Sequence, residues 1–114
     1  MSVTIWHNPR CSKSRETLAL IKARGINPDI RLYLDQPPRL DELTAALAQL
    51  KLPARSLART SEAEFHALNL PADAADQTIL AALAAHPRLI ERPLVMANGK
   101  AALCRPTDLV LEIL

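Results

Sequence analysis

The first third of the chain constrains the fold more than any other stretch. Val3-Thr4-Ile5-Trp6 is a short, largely apolar run suited to the middle of a sheet. Ser14 to Arg24 has a helical pattern, with Leu18 and Ile21 on its inner side and Gly25 just past its end. Asp29-Ile30-Arg31-Leu32-Tyr33-Leu34 then alternates at period two and reads as a second strand. Strand, helix and strand in so short a span make a βαβ unit, whose strands lie parallel with a right-handed crossover.

Gln36-Pro37-Pro38 ends that unit, and the next stretch is helical and alanine-rich. Leu40, Leu43, Leu47 and Leu50 mark one face of a helix that Pro53 stops. Ser61-x-x-Glu64 is a capping-box pattern opening a short helix through Phe65 and Leu68, closed before Pro71. A third helix starts at Asp76 and carries Ile79, Leu80 and Leu83 toward His86-Pro87. With no internal repeat and no low-complexity linker, residues 39–87 read as a helical insertion within one domain spanning 1–114.

Strand character returns at Pro93-Leu94-Val95-Met96-Ala97, and Asn98-Gly99 is a strong hairpin signal because both residues tolerate positive φ. Ala101 to Cys104 is the returning antiparallel strand. Arg105-Pro106-Thr107-Asp108 opens a final helix with Leu109, Val110 and Ile113 inward. The order βαβ, helical insertion, ββα predicts a thioredoxin-like three-layer α/β fold with a mixed four-stranded sheet.

Between the first strand and helix lies His7-Asn8-Pro9-Arg10-Cys11-Ser12-Lys13-Ser14-Arg15. A cysteine at a strand-to-helix junction meets unpaired backbone N–H groups and the positive end of the helix dipole. That position favours the thiolate, which is the nucleophile; an unperturbed thiol, with a pKa of about 8.5, is only a few per cent ionised at neutral pH. Arg10, Lys13 and Arg15 supply cations, and Ser14 is placed to donate its hydroxyl to the sulfur. The spacing is Cys-x-x-Ser, so no resolving thiol lies one turn away, and a disulfide closed within this loop is not expected. Resolution falls to another molecule or to the distant Cys104.

Composition narrows the partners. Ten of the 14 basic residues are arginine, the type that grips planar or tetrahedral oxyanions through paired N–H groups. The net charge of +2 makes nucleic acid a poor default partner. No apolar run reaches transmembrane length and no signal pattern opens the chain, so no membrane association is expected. Two widely spaced cysteines suggest a reducing, cytoplasmic location. No metal-ligand cluster is visible, and no bound cofactor is expected.

Three arginines stand out by context. Arg59 lies just before the Ser61 helix, Arg92 precedes Pro93 at the mouth of the hairpin, and Arg105 precedes Pro106 at its exit. Arg92 and Arg105 flank one hairpin, so both belong near one end of the sheet. In open α/β sheets ligands gather outside the C-terminal ends of the parallel strands, where Cys11 also sits. Taken singly, each arginine fits an ordinary surface position; taken together beside a nucleophile, they suggest a cage for a small oxyanion.

The motifs His7-Asn8-Pro9-x-Cys11-x-x-Ser14-Arg15, Leu32-Tyr33-Leu34, Pro37-Pro38, Arg59, Arg92-Pro93-Leu94-Val95 and Cys104-Arg105-Pro106 occur in that order. In this the chain resembles the thioredoxin-fold arsenate reductase family, of the type that draws reducing equivalents from glutathione and glutaredoxin. Ending at Leu114 and carrying Arg10 beside the cysteine, it looks like a shorter branch of that family. The resemblance implies that Cys11 is the nucleophile, that Arg59, Arg92 and Arg105 bind the arsenic oxyanion, and that Pro93 is a cis proline opposite the cysteine. It further implies arsenate as substrate, glutathione as co-substrate, glutaredoxin as partner, and a monomer.

His7 is expected either to tune the thiolate as an imidazolium or to pack at the strand end. His66 and His86 read as surface or loop residues, Trp6 and Phe65 as core, and Cys104 as a buried structural thiol. Two other functions fit the same fold. One is a thiol-sensing regulator that binds a protein such as RNA polymerase; such regulators keep a Cys-x-x-Cys switch, which is absent here. The other is a glutathione-dependent thiol transferase, for which Arg59 would be dispensable.

Overall fold

In a computed structural model that describes residues 2–114, the alternation of apolar side chains along two central strands divides the interior into two cores. β1 (Val3–His7) and β3 (Leu94–Ala97) run antiparallel, with Ile5 opposite Val95 and Trp6 opposite Leu94. Val3, Ile5, Val95 and Ala97 point to one face, where they pack with Ile21, Cys104, Val110 and Ile113. Trp6 and Leu94 point to the other, where they meet Leu43, Leu57, Phe65, Ile79, Leu80, Leu83, Leu89 and Ile90. Period-two alternation on strands covered from both sides requires this.

β2 (Asp29–Leu32) lies parallel to β1 on one edge and β4 (Lys100–Leu103) antiparallel to β3 on the other, giving the order β2-β1-β3-β4. This is the mixed four-stranded α/β sheet expected of a thioredoxin-like fold. Helix α1 (Ser12–Ala23) and a closing 3₁₀ segment, Thr107–Glu112, cover one face. Helices α2 (Leu40–Leu50), α3 (Ala63–Ala67) and α4 (Asp76–Ala85), from the expected insertion, cover the other. Among the described residues no helix is long and apolar enough to cross a membrane.

The two turn signals behave as their chemistry requires. Asn98 and Gly99 sit at φ 56° and 73°, closing a two-residue hairpin between Ala97 and Lys100. Gly25 sits at φ 77° and donates its N–H to the Lys22 carbonyl at the end of α1.

Four local expectations need correction. The second strand stops at Leu32, because the N–H groups of Asp35 and Gln36 both turn back to the Leu32 carbonyl. α2 ends before Pro53, on Lys51 in the left-handed region at φ 58°. The Ser61 capping box does not form. Glu62 caps α3 instead, since Glu64 is drawn away to Arg88 at 3.4 Å and His86 at 3.6 Å. The last segment is a 3₁₀ helix rather than an α-helix. Its period of three stacks the buried Val110 and Ile113 on one side, which suits a narrow ridge against α1.

Candidate active site

Cys11 is the N-cap of α1, extended at φ −96°, ψ 123°, with its carbonyl accepting the N–H of Arg15 at 3.0 Å. The loop before it is a tight turn. The Cys11 N–H donates to the Asn8 carbonyl at 3.0 Å, and the Arg10 N–H to Asn8 Oδ1 at 3.0 Å. Arg15 reaches back to the Pro9 carbonyl at 2.9 Å and staples the turn to the helix. The half-buried Cys11 is thereby held over the first turn of α1.

Partial burial pushes the Cys11 thiol up, but the opposing influences win and its pKa is lowered. They are the Ser14 backbone N–H, the charge and hydrogen bond of Arg92, and the Lys13 backbone N–H. The decisive cation is therefore not a neighbour in sequence. Lys13 turns its ammonium to Glu16 at 3.6 Å, Arg15 is engaged with Pro9, and Arg92 arrives from just before β3, the strand paired with β1.

The Ser14 hydroxyl turns to His7 rather than to the sulfur, and His7 packs at the end of β1, one of the two places open to it. His7 is buried, and its Nδ1 lies 2.6 Å from Ser14 Oγ, which also accepts the Asn8 N–H at 3.0 Å. With the ring proton on Nε2, the Ser14 hydroxyl donates to His7, and what Ser14 offers the sulfur is its backbone N–H. Burial, then the charges of Lys22 and Arg15, push the His7 pKa down, so the ring is neutral at pH 7. His7 thus braces the loop through Ser14 and is not an imidazolium beside the thiolate.

The three arginines converge by different routes. The peptide bonds Arg92–Pro93 and Arg105–Pro106 are both cis. The first is the cis proline that the resemblance implies, and nothing in the sequence signals the second. Arg105 Nη1 donates to the Arg92 carbonyl at 3.2 Å, and Arg105 Nε lies 3.8 Å from Glu91, so the two hairpin-flanking arginines do meet. Arg92 Nε is buried without a hydrogen-bond partner among the described residues. Arg59 comes from the insertion. Its N–H donates to the Leu89 carbonyl at 2.8 Å and the Glu91 N–H to the Leu57 carbonyl at 2.7 Å, an antiparallel bridge pairing Ala58 with Ile90. That bridge sets Arg59 beside the segment leading into Arg92.

Tyr33 joins these groups, although its sequence context does not single it out as a site residue. It is buried, pairs with the Asn8 side chain, and lies within the fields of Arg92, Arg59 and Cys11. The signal in the sequence was its place in the Leu32-Tyr33-Leu34 motif, just past the end of β2. Beside the cysteine loop is a cavity of about 180 Å³ lined by Asn8, Arg10, Tyr33, Leu34, Arg59 and Arg88. Among the described residues no three His, Cys, Asp or Glu side chains are grouped to hold a metal ion. Cys104 is fully buried, and both cysteines are free.

A family model described as the ArsC family matches residues 6–113. The arsenate reductase of Haemophilus influenzae is 44% identical over 116 residues, covering all of both chains. An Escherichia coli protein named uncharacterized protein YfgD is 45% identical over 97% of this chain and 95% of its own. The solved structure of the arsenate reductase from Vibrio cholerae superposes with a TM-score of 0.96 at 48% identity, covering 100% of this chain and 98% of that one.

Proposed function

The chain belongs to the ArsC family, and from that premise we propose that it reduces arsenate to arsenite in the cytoplasm, with glutathione and glutaredoxin as its thiol partners. The observation that carries this reading is a thiolate-favouring Cys11 at a helix start with Arg92 against it, Arg59 brought alongside by a backbone bridge and Arg105 held to the Arg92 carbonyl through its side chain.

The Cys11 thiolate attacks arsenic(V), and an arsenic-bound oxygen leaves as water. Oxyanion and thiolate repel one another, so arginines are needed to bring them within bonding distance and to hold charge as it moves. The glutathione thiol then adds to arsenic and a second oxygen leaves as water. A glutaredoxin thiolate attacks the glutathione sulfur, forming a mixed disulfide and leaving the electron pair of the broken sulfur–arsenic bond on arsenic, now trivalent. Hydrolysis of the remaining Cys11–arsenic bond releases arsenite and restores the thiol. Cys-x-x-Ser spacing fits this division of labour, because the second thiol comes from outside.

The test is arsenate-dependent NADPH oxidation coupled through glutathione, glutaredoxin and glutathione reductase. Wild-type protein turns over and Cys11→Ser does not. Simple thiol transfer would show as NADPH oxidation that does not depend on arsenate; where it does depend on arsenate, Arg59→Ala is expected to lose it.

A further inference from the structure

We infer that the cavity walled by Arg10, Arg59 and Arg88 is the seat of a carboxylate arm of the glutathione that resolves Cys11. This deepens the function proposed above and rests on its choice of thiol.

The cavity adjoins the loop that carries the nucleophile. Asn8 accepts the Cys11 N–H at 3.0 Å and lines the cavity wall, and Tyr33, which feels the Cys11 charge, lines it too. Its shape and chemistry suit part of a ligand. At about 180 Å³ it falls below the roughly 300 Å³ at which pockets enclose a whole small molecule, so it admits an arm and not a body. The Tyr33 ring and Leu34 offer apolar contact for a short aliphatic stem, and the guanidinium groups of Arg10 and Arg88 offer the planar fork that carboxylates match, while that of Arg59 on the inner wall is paired with Glu62.

Two of those arginines have no place in the oxyanion cage. Arg88 is 75% exposed and only loosely tied to Glu64 at 3.4 Å. Arg10 is exposed and forms no ion pair among the described residues. Arg59 Nη1 donates to the Arg88 carbonyl at 3.3 Å, so the inner and outer arginines are fastened together. Glutathione carries a carboxylate on each side of its central thiol. With its sulfur at Cys11, a carboxylate reaches outward toward a rim of this kind.

The test uses disulfide exchange, which needs no arsenic. The Cys11 thiolate attacks one sulfur of glutathione disulfide, the S–S bond breaks, and one glutathione leaves as thiolate; mass spectrometry follows the mixed disulfide. Uncharged hydroxyethyl disulfide reacts by the same step. The quantity to read is the ratio of the two rates in full-length protein. Arg88→Ala is expected to lower that ratio about two- to fivefold, as befits an exposed ion pair, and Arg10→Ala with Arg88→Ala to lower it further. Added salt lowers it in the wild type and less in the double variant. A ratio unchanged in the double variant, or equal loss with both disulfides, overturns the assignment. Absence of arsenate turnover alongside a lowered ratio would instead overturn the proposed substrate and leave this seat standing.

Discussion

At the scale of single residues, the site depends on which groups reach Cys11. Sequence neighbours supply two backbone N–H groups to the sulfur, whereas its cation is Arg92, far along the chain. A thiolate-absorbance titration is expected to centre below the ordinary thiol value, and Arg92→Met to move the midpoint upward; coincident curves would refute the pairing. The second cysteine behaves oppositely. Burial pushes the Cys104 thiol up to about 12, so the native protein should yield one fast-reacting thiol to a thiol reagent at neutral pH and two once unfolded. His7 shows what residue type alone cannot tell. A histidine four positions before a nucleophile suits an imidazolium, and only its burial and its bond to Ser14 make it a neutral brace.

At the scale of elements, β2 was legible as a strand but not in its length. Its apolar positions Ile30 and Leu32, with Leu34 beyond, remain 37–44% exposed, because α1 covers the centre of the sheet and not this edge. What anchors the edge is polar. Arg31 donates to Glu42 at 3.0 Å and to the carbonyls of Gln36 and Pro37 at 3.0 Å each, tying β2 and the turn after it to α2. The hydrogen bond from Arg31, helped by the Arg39 backbone N–H, holds the Glu42 carboxyl down at about 2, against 4.5 ordinarily. A carboxylate depressed on folding contributes stability above its unfolded pKa and loses it as pH falls through the folded one. Glu42→Gln is expected to cost about 1–2 kcal/mol at pH 7, the pair being partly screened by solvent, and to lose less on acidification from pH 4.5 to about 2 than the wild type does. Urea unfolding at both pH values measures it; parallel losses would count against the pair.

At the scale of the whole molecule, the sheet divides labour between its faces. The α1 side holds the cysteine loop, and the α2–α4 side holds Arg59 on a segment bridged to the one before Arg92. The insertion's core therefore supports part of the site at a distance. Leu83 is fully buried between α4 and its neighbours, and Leu83→Ala should cost about 2–5 kcal/mol in denaturant unfolding, with an unchanged midpoint excluding the role.

By itself the sequence determined the element order, the hairpin turn and the cysteine at a helix start, because each rests on local causes: periodicity, positive-φ residues and orphan N–H groups at a helix terminus. Arg92 and Arg105 were also legible together, since one short hairpin separates them. Tertiary structure alone decided that Arg92 is the sulfur's cation, that the Ala58–Ile90 bridge carries Arg59 to the site, and that Glu64 leaves its capping position for Arg88 and His86. Ion pairs and bridges between segments depend on where the packed cores set segments distant in the chain, and no local pattern encodes which distant partner wins.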